Sequence, residues 1–364
     1  MMLNADSAVA PPQLNRGMTQ PGPAVSEHDL INHVLEFCAA AGYTIPPLLV
    51  IDYVVALRSS PFVLLFGPSG QGKTELARLL AQALVSPFDE QYIYVNLGIA
   101  SEGTSFVHLQ DRFGWLKFVE ILETAATSAN AHRVFFLCLD NLRPADVMTY
   151  FSMLVHGSDN IQRLAIRGYP ADYWPSVPDN VIITGTLDAA QPIDAEQSTL
   201  LAQINCVYVQ PQWLQASIQT VSTHQRMAPI GFQRLLLQHT LRSDEAVGTR
   251  LRTLLGDDLE EFWQPPAELA AIMWQAGLTY DEAWRSAMLR SVANSFTHTG
   301  QGVFVPDDVV TNAHFALVFA LTRQMMLRLW EHKQYQRQLE QILKYHLDQL
   351  PPVSSFSTTA TLYY

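Results

Sequence analysis

The sequence contains little that would place this protein outside the reducing interior of a cell. Its 364 residues include only three cysteines, Cys38, Cys138 and Cys206, which lie far apart along the chain. Such spacing suits neither a disulfide framework nor a zinc site, so we expect reduced core residues. No basic and then apolar leader opens the sequence, and no apolar run reaches the length of a membrane span. We therefore expect a cytoplasmic protein without a membrane segment.

Charged residues are also scarce, and acidic ones predominate. The chain has 34 Asp and Glu against 22 Lys and Arg, a net charge of −12. This balance disfavours broad affinity for a nucleic-acid backbone, so we expect any nucleic-acid contact to be indirect. The 11 histidines include no His-x-x-x-His pair. The sequence also lacks a credible Pro-Asp…Glu-x-Lys nuclease arrangement and an Asn-Lys-x-Asp guanine-reading motif.

A glycine-rich octapeptide provides the strongest chemical signal. Residues 67–74 read Gly-Pro-Ser-Gly-Gln-Gly-Lys-Thr, which is the Walker A spacing. An apolar run over 61–66 predicts a buried strand before it, and residues 75–84 predict a helix after it. Lys73 would contact the β- and γ-phosphates of a nucleotide, and Thr74 would hold Mg²⁺. The residues assigned to nucleotide binding are Gly67, Pro68, Ser69, Gly70, Gln71, Gly72, Lys73, Thr74 and Glu75.

Strand-like and helical segments alternate through the first 210 residues. Helices are predicted over 27–40, capped by Ser26, and 46–58, and strands over 61–66, 91–96, 134–139, 181–186 and 206–210. This alternation predicts an α/β fold with a parallel sheet covered on both faces. Further helices are predicted over 144–156 and 310–349. The expected organisation is a disordered tail (1–25), a nucleotide-binding domain (26–211), a helical domain (212–350) and a flexible tail (351–364).

Two strand ends carry residues that would face the loop. The apolar run 134–139 is followed by Asp140, the Walker B pattern, and Asp140 would hold Mg²⁺ opposite Thr74. Asn141 comes next and cannot accept a proton as a general base. Asp188 follows the strand 181–186 and would bring negative charge close to an anionic phosphate. Asn141 and Asp188 therefore occupy the two candidate catalytic positions.

The chain resembles AAA+ ATPases of the McrB-like group, the NTPase subunits of modification-dependent restriction systems, over roughly residues 46–210. The segments that carry the resemblance are 56–78, 139–142, 178–188 and, faintly, 229–234. It implies a P-loop NTPase of the ASCE type with sheet order 5-1-4-3-2, a helical lid and C-terminal helices. It also implies ATP or another NTP with Mg²⁺, and partner protein subunits. Arg234 lies one position from the lid arginine of the family, and is either a γ-phosphate contact or a helix-surface residue.

Three positions depart from the family pattern. The family has Glu at position 141, Asn at 188, and an arginine near 202–203, where this chain has Ala-Gln. Asp188 could be a substitute base with Asn141 orienting the water, or the hydrolytic site is degenerate. We favour the second interpretation, because Gln203 is a further loss that an exchanged pair does not repair.

Three functions follow from these residues, in decreasing order of support. The first is an ATP-binding subunit with a degenerate hydrolytic site that acts in assembly or regulation. The second is an active remodelling or restriction-type ATPase that uses Asp188 and an arginine from a partner. The third is a P-loop kinase, which the absence of an arginine-rich lid disfavours.

Overall fold

The fold is an α/β arrangement built around a central sheet. The computed structural model describes residues 25–85, 91–96, 113–144, 154–156, 162–164, 170, 172, 174–188, 204–210, 215–216, 230–330 and 332–348. In the first part of the chain these form α1 (Glu27–Ala40), β1 (Tyr43–Thr44), α2 (Pro47–Ser59), β2 (Phe62–Gly67), α3 (Lys73–Leu84), β3 (Tyr92–Asn96), α4 (Phe113–Ala126), β4 (Phe135–Leu142), β5 (Leu154–His156), β6 (Gln162–Leu164), β7 (Val181–Asp188), β8 (Asn205–Tyr208) and β9 (Gln215–Ala216).

The second part of the described chain is helical. It contains α5 (Ile230–Gln238), α6 (Asp244–Leu255), a 3₁₀ segment (Gly256–Trp263), α7 (Ala267–Ala276), α8 (Glu282–Asn294), α9 (Val309–Arg328) and α10 (Lys333–Asp348). Among the described residues, none of the helices combines the length and the apolar character needed to cross a membrane.

The central sheet has five strands in the spatial order β3-β4-β7-β2-β8. Every neighbouring pair is parallel, which confirms the predicted α/β class with a parallel sheet. Numbered along the chain and read from the β8 edge, the order is 5-1-4-3-2. All six residues of β2 are buried, as expected of a strand covered on both faces. The carboxyl ends of β2, β4 and β7 therefore meet at one edge.

Helices α2 and α3 contact the strand that leads into the glycine-rich loop, and α1 packs against both of these helices. The predicted first helix and its Ser26 cap are confirmed: the Ser26 hydroxyl accepts from the Asp29 backbone N–H, and the Asp29 carboxylate accepts from Ser26. Helix α2 is buried over most of its length and contacts the sheet through the Tyr53 hydroxyl, 2.7 Å from Thr184 Oγ1 in β7.

Buried polar contacts join the helical part to α2. Arg323 of α9 pairs with Asp52 of α2, and both side chains are almost completely buried. Arg58, at the end of α2, donates to the backbone carbonyls of Asn294 (2.8 Å) and Phe296 (3.1 Å). Since buried charges are costly without partners, these contacts fix the C-terminal helices to α2, which itself packs on the sheet.

Two predicted helices are wrong in part. The predicted 144–156 helix ends instead in the strand β5, which pairs with β6, and residues 145–153 lie outside the described part. The predicted 310–349 helix is two helices, α9 and α10, separated near Leu329 and Trp330. The break lets α10 fold back along α9, which buries Leu339 and Leu343. The predicted tails lie almost wholly outside the described residues.

Candidate functional site

The glycine-rich loop connects β2 to α3 at the carboxyl edge of the sheet. Gly67 has φ +146°, and a Cβ at this position would lie 2.4 Å from the carbonyl oxygen of Val209, so no other residue fits. Gly72 is the N-cap of α3 with a left-handed φ of 80°, and its carbonyl accepts from the Leu76 N–H at 2.8 Å. The loop between them is open to solvent at Ser69 and Gly70 and partly exposed at Pro68 and Gln71.

The Lys73 side chain curves back along the loop. Its ammonium donates to the carbonyl oxygens of Gly67 (2.9 Å) and Pro68 (2.7 Å), and the residue is only 8% exposed. Burial lowers the pKa of Lys73, while the nearby carboxylates of Asp188 and Asp140 oppose that shift. A cation thus lies within the curve of the loop, beside the first turn of α3, where the helix dipole also favours an anion.

Asp140, at the carboxyl end of β4, lies at the centre of a network of hydroxyl groups. Thr74 Oγ1 and Thr186 Oγ1 (2.6 Å) both donate to its Oδ1, and the Tyr94 hydroxyl donates to its Oδ2 at 2.7 Å. Burial alone would raise the pKa of Asp140, but the hydroxyls of Thr186, Thr74 and Tyr94 hold it below its ordinary value. The structure therefore brings the two predicted metal ligands, Thr74 and Asp140, into contact.

Thr74 and Asp140 suit a hard cation. Magnesium prefers oxygen ligands and is commonly held by one or two carboxylates together with substrate phosphates. Within the described ranges, no group of three or more His, Cys, Asp or Glu residues could hold a metal. A hydroxyl and a buried, ionised carboxylate beside the phosphate-binding loop fit Mg²⁺ shared with a nucleotide better than a metal held by protein alone.

Asn141 has an unusual backbone conformation. It has φ +58°, uncommon outside glycine though tolerated by asparagine, at an irregularity in the pairing of β4 with β7. This places its N–H 3.0 Å from Thr186 Oγ1, and its amide nitrogen donates to Asn96 Oδ1 at 3.1 Å. The side chain of Asn141 is thus directed toward β3, away from β7 and Asp188.

Asp188 lies on the other side of the site. It is the last residue of β7 and is opposite Gly67 in the β2–β7 register, partly buried. Its charge acts on Lys73, as the pKa of that lysine indicates. Although β4 and β7 are neighbours as expected, the amide of Asn141 contacts Asn96, whereas the charge of Asp188 acts on Lys73.

Arg234 lies away from the loop, and the Glu75 carboxylate is paired within α3. Arg234 is exposed on α5, next to Gln233, whose amide donates to the Leu84 carbonyl at 2.7 Å. Leu84 ends α3, roughly 16 Å along the helix axis from Lys73. The Glu75 carboxylate accepts from Arg78 Nε at 2.9 Å. Residues 202–203 lie outside the described part.

Two contributors to the site, Thr186 and Tyr94, were not predicted from the sequence. Both lie within predicted strands, but their contact with Asp140 depends on which strands are neighbours and in what register. The sequence signal that could have pointed to Tyr94 is the period-two alternation of a strand, which places Tyr92 and Tyr94 on one face of β3.

The fold and the loop together are compatible with a P-loop NTPase. No protein-family model matches the chain, and no curated protein matches its sequence.

Proposed function

We propose that the protein binds ATP, or another nucleoside triphosphate, with Mg²⁺ in the loop 67–74, and that it hydrolyses the nucleotide weakly or not at all by itself. The observation that carries this proposal is the convergence of three groups at one end of α3. The Lys73 ammonium lies within the loop, and the Thr74 hydroxyl contacts the buried carboxylate of Asp140.

Each of these groups has a role in binding. Backbone N–H groups at the start of α3 and the Lys73 ammonium would bind the phosphates, and Lys73 would exchange its two carbonyl acceptors for phosphate oxygens. Thr74 and Asp140 would hold Mg²⁺, which neutralises phosphate charge when bound. Gly67 allows the loop to approach Val209 closely enough to keep this shape.

The AAA+ assignment belongs to this proposal. The strand order, read as 5-1-4-3-2, and the helices that follow β8 support an ASCE-type AAA+ protein of the McrB-like kind. We infer from this resemblance that the protein acts with partner subunits in nucleotide-dependent assembly or regulation.

The proposed weakness of hydrolysis comes from Asn141 and Asp188. Asn141 has no proton-accepting group for a general base, and its amide is turned toward Asn96. Asp188 is the remaining carboxylate at this edge, but its charge lies beside Lys73, which is needed for phosphate. The alternative, an active ATPase that uses Asp188 as its base, predicts the opposite response to substitution there.

Binding and turnover should be measured together on one purified sample. Titration calorimetry is expected to show Mg-ATP or Mg-GTP binding in the micromolar range, roughly −8 kcal/mol. Phosphate release is expected to stay near the background of a nucleotide-free control. A folded sample that binds neither nucleotide would contradict the proposed function.

Asp188→Asn separates the two interpretations of the catalytic pair. We expect Mg-ATP to bind about three- to tenfold more tightly, because a negative charge near the phosphates is removed, with phosphate release unchanged. Calorimetry and a steady-state phosphate assay measure the two effects. Clear hydrolysis by the wild type that disappears in Asp188→Asn would instead establish Asp188 as the base.

The assembly state provides a further test. Because position 203 is Gln, identical subunits lack the arginine that the family inserts into a neighbouring nucleotide site. We expect the purified protein to remain monomeric or to form small oligomers, with or without ATP, in multi-angle light scattering. A stable hexamer of this chain that forms only with ATP would show that another arginine has this role.

A further inference from the structure

Tyr94 is a residue of the edge strand β3 that contacts the centre of the site. Its hydroxyl donates to Asp140 Oδ2 at 2.7 Å, although the tyrosine as a whole is 45% exposed. Burial of the hydroxyl, followed by its bond to Asp140, raises the pKa of Tyr94 to about 12. The phenol is therefore protonated at neutral pH, and the carboxylate is the acceptor.

The two oxygens of Asp140 have different surroundings. Each carboxylate oxygen has about two acceptor positions. Oδ1 already accepts from Thr74 and Thr186. On Oδ2 the bond from Tyr94 is the short one, and the Asn141 amide lies farther away, at 3.4 Å. Both oxygens therefore accept two bonds, and Oδ1 is the oxygen that contacts Thr74, the other predicted metal ligand.

These hydroxyls also restrict rotation of the carboxyl group. Thr74 and Thr186 hold one oxygen, and Tyr94 holds the other from a different strand. A carboxylate held at both ends does not have to be ordered when a cation is bound, and groups fixed in advance bind at a lower entropic cost. The register of β3 with β4, in which Asn96 is opposite Asp140, keeps Tyr94 within reach.

We propose that Tyr94 is a positioning residue for Mg²⁺: by holding Oδ2 it fixes the Asp140 carboxylate so that Oδ1 stays beside Thr74, the other residue that would hold the metal. This role rests on the proposed function, because the metal is bound together with the nucleotide. The proposal gives a part in the site to the edge strand β3, which belongs to neither the Walker A nor the Walker B segment.

The test compares nucleotide affinity with saturating Mg²⁺ and with EDTA, by calorimetry, for the wild type and Tyr94→Phe. In Mg²⁺ we expect the Kd for ATP to rise about five- to tenfold in Tyr94→Phe, the loss expected for one hydrogen bond of ordinary strength. In EDTA we expect the same Kd for both proteins. A general structural defect would weaken binding under both conditions, so the dependence on Mg²⁺ identifies the positioning role.

Tyr92→Phe is the matched control. Tyr92 lies on the same face of the same strand, and the contact of its buried hydroxyl is with Cys138, not with Asp140. We expect its removal to leave both Kd values unchanged. Thermal unfolding of the two variants checks that each is folded, which we expect because phenylalanine keeps the ring in both positions.

The outcomes distinguish the two proposals. If Mg²⁺ strengthens ATP binding by Tyr94→Phe at least as much as it strengthens ATP binding by the wild type, the role of Tyr94 is refuted and the proposed function stands. If Tyr94→Phe is equally weakened in Mg²⁺ and in EDTA, the role is also refuted, because the effect is then structural. If the wild type binds no nucleotide under either condition, both proposals fail.

Discussion

Lys73→Ala is expected to weaken Mg-ATP binding by about 100-fold or more, from the micromolar to the millimolar range. The variant removes the ammonium that lies within the loop, and no other cation on the described part of the loop can replace it. Charge-assisted hydrogen bonds to phosphate are among the stronger polar contacts, and this one lies in a largely buried position. Titration calorimetry with Mg-ATP measures the change directly.

Two controls separate this loss from unfolding. Lys333 is exposed at the start of α10, and Lys333→Ala removes the same charge from the chain outside the loop, so we expect unchanged affinity. ATP should also raise the melting temperature of the wild type and of Lys333→Ala, but not of Lys73→Ala. Equal binding by Lys73→Ala and the wild type would show that the loop 67–74 is not the nucleotide site.

Much of the fold could be predicted from the sequence because the central strands β2, β4 and β7 are largely buried. A strand covered on both faces is a continuous apolar run, and β2, the first part of β4 and β7 all have this form. The loop was predictable because its glycine and lysine spacing lies within eight consecutive residues, 67–74. Both signals are local, and a single sequence contains them in full.

The missing parts of the site depend on long-range contacts. Tyr94 and Thr186 both reach Asp140 across strands, over 46 residues of chain, and no local pattern reports such a pairing. The direction of Asn141 depends on a positive φ at an irregular point in β4, which periodicity does not reveal. The position of Arg234 likewise depends on a long-range contact, in which the amide of its neighbour Gln233 donates to the Leu84 carbonyl.

The helical part shows the same limit. Residues 310–349 have a continuous helical pattern, yet the chain turns near Trp330 so that α10 packs against α9. The core available to α9, which is buried along most of its length, decides where the first helix ends. Helical periodicity gives the helix type reliably, whereas the position of a turn depends on packing.

Asp52→Asn is expected to lower the free energy of unfolding by about 3–5 kcal/mol. The variant keeps the shape of the side chain but removes the negative charge that pairs with Arg323, leaving the guanidinium buried without a counter-charge. Burial raises the pKa of Asp52 to about 6, against the opposing effect of Arg323, so the measurement belongs at pH 8, where the carboxyl is ionised. Denaturant unfolding followed by circular dichroism gives the difference.

The matched control is an exposed ion pair. Glu282 and Arg285 form one on the surface of α8, and Glu282→Gln should cost no more than about 1 kcal/mol, because water screens exposed pairs. The double variant Asp52→Leu with Arg323→Met should recover most of the loss, since neither charge then remains buried. A loss below about 1 kcal/mol in Asp52→Asn would mean that water reaches Arg323 in the folded protein.

The pair of Asp52 and Arg323 also bears on how the helical part could respond to nucleotide. Asp52 belongs to α2, which leads into the strand before the loop, and Arg323 belongs to α9. A helical lid that moved as a whole would have to separate these charges and expose them, at a cost comparable to the predicted loss of stability. We therefore expect α9 to stay with the sheet when nucleotide binds. In hydrogen exchange, ATP should then protect the amides of α9 no more than its stabilisation of the whole fold accounts for. Strong nucleotide-dependent changes in α9 that exceed those in β2 would contradict this expectation and indicate that the pair opens during the binding cycle.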